Sequence, residues 1–218
     1  LQYPGGKQVL KSLLDGLGMR LVAVYSGANF IFPEILGEEL WRVEKAAEAA
    51  GDLGAEHLVV GGGARRAGGT EERDYRLLGE GLDRVGDVAG KHGLAVSFHP
   101  HLGTCVESPE EVDKAMESTG INLCPDTAHL AAGGADLPRL IRRYAGRIRY
   151  VHLKDYVPEP FGFVPLGQGR LDLEPVAEAL RDIGYDGWIT VETDGYPGDP
   201  RDSAATSMRY LKQLFPGG

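Results

Sequence analysis

The sequence is poor in cysteine and has no long apolar stretch. Its 218 residues include two cysteines, Cys105 and Cys124, which form no CxxC pair. A disulfide scaffold is therefore not indicated, and a reducing cytoplasm is the simplest compartment. Neither a secretory signal nor an apolar run near the length of a membrane span is evident. We expect a soluble cytoplasmic protein that does not engage a membrane.

Positive charge is also scarce. The chain has 32 acidic and 23 basic residues, and no stripe rich in lysine and arginine. The electrostatic footprint of a nucleic-acid binder is therefore missing. The length suffices for one sizeable core, and no second domain or flexible linker is visible. We predict a single domain over residues 1–218 that acts on a small molecule and not on nucleic acid.

A phosphate-binding glycine loop is missing too. The only glycine cluster, at residues 61–63, lacks the spacing of the known nucleotide-binding loops. Short β-rich runs alternate with amphipathic helices, as in a parallel barrel or an open doubly wound sheet. Without a nucleotide loop we favour a TIM-type β/α barrel. Its predicted strands are residues 20–25, 57–60, 94–99, 121–124, 148–153 and 188–192, with a weaker one at 164–166.

The strand count falls short of a complete barrel. A predicted helix over residues 7–17 precedes the first predicted strand, whereas an eightfold barrel needs one more strand ahead of it. We expect seven strands, a gap beside Glu192, and a chain that is a fragment or a natural truncation. Because unpaired strand edges invite pairing, a homo-oligomer could complete the ring.

Residues of metal-ligand type follow several of the predicted strands. His99 and His101 stand two positions apart, so an extended backbone points both to one face, although they could simply be hydrogen-bonded loop histidines. Asp126 follows the next strand, where an aspartate is often only the cap of a helix. His129 lies three residues further on and could join it in one small site.

Two later strands end in the same way. His152 could be an ordinary core histidine, and Lys154 and Asp155 could belong to a solvated loop. Glu192 is different, because burying a carboxylate is costly unless it is paired or bound to a cation. Two carboxylates and at least one imidazole at one end of parallel strands predict a centre for one divalent metal, namely Mn²⁺, Co²⁺, Mg²⁺ or Zn²⁺.

Four segments carry a resemblance to a known family. They are residues 99–107 (HPHLGTCVE), 125–129 (PDTAH), 151–155 (VHLKD) and 184–194 (GYDGWITVETD). They resemble the xylose-isomerase-like superfamily of sugar isomerases and epimerases, and within it the inosose (2-keto-myo-inositol) dehydratases. The resemblance implies a metal held by Asp126, His152 and Glu192. The remaining ligand of that superfamily, a glutamate, falls on Ser97, so His99 or His101 is expected as the fourth ligand.

The missing glutamate bears on the reaction. Epimerases of the superfamily use two metal-bound glutamates as acid and base on opposite faces of the substrate. With one of these glutamates absent, an active site that removes water β to a ketone is easier to build than one for epimerisation. Water loss needs one base, a metal and an acid. The catalytic candidates are Glu192, Lys154, His99 and His101, and the substrate-binding candidates are His129, Glu107 and Asp155.

The sequence thus favours a metal-dependent enzyme that removes a proton next to a metal-bound carbonyl of a small keto-sugar or keto-inositol. A ketose isomerase or epimerase that loses no water is the nearest alternative. A DNA hydrolase is disfavoured by the acidic charge and by too few ligands for a three-metal cluster. A catalytically inert barrel that binds a ligand or partner is the remaining alternative.

Overall fold

The structure is a computed structural model that describes residues 4–216. Its helices are α1 (Gly6–Gly16), α2 (Pro33–Asp52), α3 (Glu72–Gly90), α4 (Pro109–Glu117), α5 (Thr127–Ala132), α6 (Leu137–Arg143), α7 (Glu174–Asp182) and α8 (Pro200–Leu214). Its strands are β1 (Ala23–Gly27), β2 (His57–Gly61), β3 (Ala95–His99), β4 (Asn122–Leu123), β5 (Tyr150–Leu153), β6 (Asp155–Pro158), β7 (Phe161–Val164) and β8 (Trp188–Val191). Among the described residues, no helix combines the length and apolarity needed to cross a membrane.

Parallel strands form the predicted barrel wall. Strands β1, β2, β3 and β4 pair in that order, and β5 pairs with β8. Two isolated parallel bridges, Leu123 with Ile148 and Asp126 with His152, join the two sheets. The wall therefore runs β1-β2-β3-β4-β5-β8, which confirms the TIM-type fold. In the described part of the chain β1 and β8 each have one neighbour, so the open side lies beside Glu192 as expected; its closure by a second copy stays a prediction.

The predicted strand at 164–166 is wrong, and so is the count of seven. Residues around it form an antiparallel hairpin of β6 and β7 instead of a wall strand. Pro165 has no N–H to offer a ladder, and the N–H of Leu166 donates to the Ser207 hydroxyl at 3.1 Å. Six parallel strands therefore build the wall in the described residues.

Alternation along the strands separates two kinds of surface. Outward side chains pack against the helices in the large core, as expected for parallel strands that are covered on both sides. Inward side chains form a small apolar cluster of Val59, Cys124 and Tyr150. Above this cluster, the inward positions at the carboxyl ends of the strands are polar. The barrel therefore has an apolar floor and a polar mouth.

Candidate metal centre

Three predicted ligands meet at the mouth of the barrel. Asp126 follows β4, His152 lies in β5 and Glu192 follows β8, and one ligand atom from each lies within 4.8 Å of the others. His152 Nδ1 is 2.9 Å from Glu192 Oε2 and 3.9 Å from Asp126 Oδ2. Strand order alone brings these side chains together, because the carboxyl ends of parallel strands share one edge.

Hydrogen bonds at the start of α5 fix the orientation of the Asp126 carboxylate. Asp126 is the N-cap of α5, and its Oδ1 accepts hydrogen bonds from the N–H groups of Ala128 and His129, both at 3.0 Å. The cap therefore uses one carboxylate oxygen only. The hydroxyl of Thr127 donates to the carbonyl of Lys154 at 2.6 Å, which ties the start of α5 to the end of β5. Oδ2 is left facing the other two ligands.

Unpartnered ligand atoms indicate that a cation fits here. Asp126 Oδ2, His152 Nδ1 and Glu192 Oε2 are buried, and none has a partner in hydrogen-bond geometry among the described residues; the Lys154 ammonium makes ionic contacts with the two carboxylate oxygens, at 3.3 Å and 3.0 Å. The short approach of His152 to Glu192 lacks the alignment of a hydrogen bond. Leaving a buried polar group unpaired costs about 1–3 kcal/mol. Three such atoms converging on one point are satisfied together by a divalent ion with mixed nitrogen and oxygen ligands.

Lys154 is a buried ammonium among carboxylates. Its Nζ lies 3.3 Å from Asp126 Oδ2, 3.0 Å from Glu192 Oε2 and 2.8 Å from Asp194 Oδ2. Burial works to lower the pKa of Lys154, but the three carboxylates outweigh it and the pKa is raised. The carboxylates outnumber the ammonium here, and a divalent cation would balance the excess negative charge.

The two ligand carboxylates differ in their electrostatics. Burial raises the pKa of Asp126, and Lys154 offsets only part of the effect. Burial also works to raise the pKa of Glu192, but His152 and Lys154 outweigh it, so the pKa lies well below the ordinary value of a glutamate. Glu192 is therefore ionised at neutral pH, and its side chain keeps 37% of its exposure.

Three histidines line the wall next to the ligands. The rings of His101 and His129 are 3.6 Å apart, and the ring of His99 is 5.7 Å from each. Burial lowers the pKa of His99 well below its ordinary value and lowers the pKa of His129 to about 3. Neutral imidazoles of this kind can exchange hydrogen bonds with substrate hydroxyls.

Two other groups of ligand-type residues suit a cation less well. His99, His101 and His129 form one group, but it has no carboxylate, and the Lys154 ammonium lies 3.2 Å from His129 Nε2. The other group contains Cys124, whose pKa burial raises well above the ordinary value. Like the first, this group has no carboxylate to balance the charge of a cation.

The fourth ligand, predicted as His99 or His101, stays a prediction, but the two histidines differ in their contacts. The ring of His99 lies 5.0 Å from the ring of His152, and His99 Nδ1 is buried with no partner in residues 4–216. His101 shares a group with His99 and His129 only, and its Nδ1 donates to the carbonyl of Leu102 at 2.6 Å. The geometry therefore favours His99 over His101.

Two of the predicted substrate contacts have other partners. Both oxygens of Asp155 are occupied by backbone N–H groups, those of Tyr156, Gly167, Gly169 and Leu171 at 2.8–3.1 Å. This arrangement favours a loop-bracing role for Asp155 over the predicted substrate contact. Glu107 pairs with Arg65 and accepts from the N–H of Gly103; its substrate role stays a prediction.

Sequence reasoning missed one residue on β1. Tyr25 is at an inward position, and its ring meets that of His99 edge-on at 6.0 Å between centroids. Its hydroxyl occupies the space that a side chain at Gly61 would need, which explains a glycine at the end of β2. Burial, with the Glu192 charge, raises the pKa of Tyr25. Strict alternation along β1 is the signal that could have found it.

Asp194 and Phe163 were also missed. Asp194 follows β8 and accepts a hydrogen bond from Lys154. Phe163 belongs to the unpredicted hairpin, and its ring lies 4.9 Å from Lys154 Nζ and 5.2 Å from the ring of His129. The hairpin therefore covers the ammonium with an apolar, cation-binding face.

Comparison with known proteins agrees with the fold described above. Residues 2–214 match the family model described as xylose isomerase-like TIM barrel. The chain belongs to this family. It is 28% identical to the inosose dehydratase of Geobacillus thermodenitrificans (strain NG80-2), over 97% of this chain and 82% of that protein. It is 31% identical to the inosose dehydratase of Geobacillus kaustophilus (strain HTA426), over 94% of this chain and 78% of that protein.

Solved structures share the fold. An L-ribulose 3-epimerase superposes with a TM-score of 0.83 at 18% identity, covering 97% of this chain and 80% of that one. The IolI protein, solved with a binding zinc atom, superposes with a TM-score of 0.80 at 18% identity, covering 94% and 81%. The predicted resemblance is confirmed, and these relatives support an enzyme of the sugar isomerase and epimerase superfamily.

Proposed function

We propose that the protein is a divalent-metal-dependent lyase that removes water from a small polyhydroxylated ketone of the keto-inositol type. The observation that carries the proposal is the convergence of Asp126, His152 and Glu192 with one unpartnered atom each, beside a protonated Lys154. The inosose dehydratase relatives support the substrate class. The net charge of −9 argues against a nucleic-acid substrate, and the cytoplasm remains the proposed compartment.

The chain's ligands for the cation would be Asp126, His152 and Glu192, with His99 as our candidate for a fourth position. Mn²⁺, Co²⁺, Mg²⁺ and Zn²⁺ all suit this donor set, and the zinc of the IolI protein supports the last. A bound divalent cation would polarise a ketone oxygen and acidify the neighbouring C–H bonds.

Glu192 is our candidate base and Lys154 our candidate acid. The Glu192 carboxylate is ionised and partly exposed, so it can take the proton from the carbon beside the ketone. The Lys154 ammonium can donate a proton to the departing hydroxyl, which leaves as water. Because Nζ and Oε2 are 3.0 Å apart, the proton on Glu192 can then return to Lys154, and both groups regain their starting states.

Ser97 supports water loss over epimerisation. Its hydroxyl is fully buried on β3 with no partner within the described chain, where the superfamily carries its other glutamate. A second carboxylate to reprotonate the substrate from the opposite face is therefore lacking on that side. The neutral groups present there, His99 and Tyr25, are suited to binding hydroxyls.

The test starts from chelator-treated protein reloaded separately with each of the four cations. Incubation with 2-keto-myo-inositol, followed by NMR of the products, should show a ketone that has lost one water. A stereoisomer formed without loss of water would favour the epimerase alternative. If no cation supports turnover across a panel of ketoses and keto-inositols, the inert-barrel alternative replaces the proposal.

A further inference from the structure

Asp194 stands apart from the other carboxylates around Lys154. Asp126 and Glu192 are ligand candidates, but Asp194 belongs to none of the ligand groups found in residues 4–216. Its contact with Lys154 is nevertheless the shortest of the three, at 2.8 Å, and is a true hydrogen bond. The carboxylate that lies outside the centre is therefore the one closest to the ammonium.

Two sets of groups surround the Lys154 ammonium. On one side it approaches the unpartnered oxygens of Asp126 and Glu192. On the other side it meets Asp194, the Nε2 of His129 and the ring of Phe163. A cation at the centre needs the oxygens on the first side, so the lysine must be satisfied from the second.

We propose that Asp194 is a positioning residue, which draws the Lys154 ammonium away from Asp126 and Glu192 and so keeps both carboxylates available to the cation; this rests on the proposed function. The same contact holds Nζ within reach of a departing hydroxyl. Asp194 itself touches neither the cation nor the substrate. Its effect on both therefore passes through Lys154.

The first test measures cation affinity by calorimetry with Mn²⁺ or Zn²⁺ alone, without substrate. Asp194→Asn should weaken binding about tenfold, since it removes one charge-assisted hydrogen bond from a half-exposed carboxylate. Asp194→Glu should restore binding to within about threefold. Asp186→Asn, on an exposed residue at the opposite end of β8, is the matched control and should match the wild type.

A double-mutant cycle separates positioning from simple charge. In a Lys154→Met background, Asp194→Asn should change cation affinity by less than about twofold, because the group through which it acts is gone. If the tenfold loss persists in that background, or if Asp194→Asn binds like the wild type, the inference is overturned. Absence of cation binding by the wild type would overturn it as well.

Kinetics give a second readout in the otherwise native chain, should Lys154→Met fail to fold. At saturating cation, Asp194→Asn should lower kcat for 2-keto-myo-inositol about tenfold and leave KM within about threefold, and unchanged kcat would contradict the role. A wild type that binds cations with the predicted coupling but turns over no ketone would refute the proposed function alone. The two failures are therefore distinguishable.

Discussion

The two sides of the barrel mouth differ in charge. The side built by β1, β2 and β3 presents Tyr25, Gly61, Ser97 and His99, none of which carries a charge at neutral pH. The side built after β4 and by β5 and β8 presents the ions, namely Asp126, Lys154, Glu192 and Asp194, together with His152. The mouth thus combines a charged wall, which holds the proposed catalytic groups, with an uncharged wall, which is proposed to bind substrate hydroxyls.

The difference teaches why one fold can support different reactions. A barrel with carboxylates on both walls can remove a proton from one face of a substrate and return it to the other. Here the carboxylates proposed to take part in proton transfer lie on one wall, within 3.3 Å of Lys154 Nζ. Removal of a proton and departure of a hydroxyl can both be served from that wall, and reprotonation from the opposite one cannot.

The largest expected effect comes from neutralising the ionic wall. Glu192→Gln should lower kcat/KM about 1,000-fold, because it removes both the proposed base and a cation ligand. Steady-state kinetics and cation titration measure the two losses. Glu178→Gln, on an exposed residue of α7, should behave like the wild type. Retention of full activity by Glu192→Gln would remove this residue from the mechanism.

Adding a charge to the neutral wall is the next test. Ser97→Glu should lower the free energy of unfolding of cation-free protein by about 3 kcal/mol, because Ser97 is fully buried. Added cation should recover that loss and bind more tightly than in the wild type. Ser97→Gln introduces a side chain of the same length without the charge. Comparing the two variants in urea unfolding separates the effect of added volume from that of added charge. Equal effects of cation on both variants would contradict a link between position 97 and the centre.

The third prediction asks whether Asp155 serves stability and not catalysis. Asp155→Asn should cost about 2 kcal/mol of unfolding free energy, since an amide cannot accept all four backbone N–H groups. Catalysis should fall much less. Urea unfolding and kinetics decide, with exposed Asp87→Asn as the control. A large loss of kcat/KM without loss of stability would instead support the predicted contact between Asp155 and the substrate.

Per pH unit, the smallest effect concerns the neutral histidine His129. The pKa of His129 is about 3 in the fold and about 6.5 in the unfolded chain. Between these values the unfolded state binds more protons, so the free energy of unfolding should fall as the pH falls from 6.5 towards 3. One such group contributes about 1.4 kcal/mol per pH unit. His129→Asn should flatten the profile by that amount, whereas His92→Asn should not; equal slopes would contradict a buried neutral His129.

Strand order was enough to predict that the candidate ligands lie together, whereas their assignment as a ligand set came from the family resemblance. Asp126, His152 and Glu192 each stand where an apolar run ends, and parallel strands bring such positions to one edge. The same reasoning predicted the open side beside Glu192. These features depend on periodicity, which the sequence carries locally.

Contacts that depend on loops could not be predicted. The segment after β5 contains Pro158, Pro160 and Gly162 and reads as an irregular loop, yet it folds back as the hairpin that places Phe163 over Lys154. The bracing by Asp155 depends on where residues 167–171 return. Asp194 was visible in the motif, but its partner lies 40 residues away and is fixed only by the pairing of β5 with β8.

The most direct test of a one-sided reactive mouth is the fate of 2-keto-myo-inositol in D₂O with cation-loaded wild-type protein. Followed by NMR, the account predicts a product that has lost water, while the unreacted ketone keeps its original stereochemistry. Accumulation of a deuterium-labelled stereoisomer without loss of water would contradict it, because that outcome requires proton transfer from both walls.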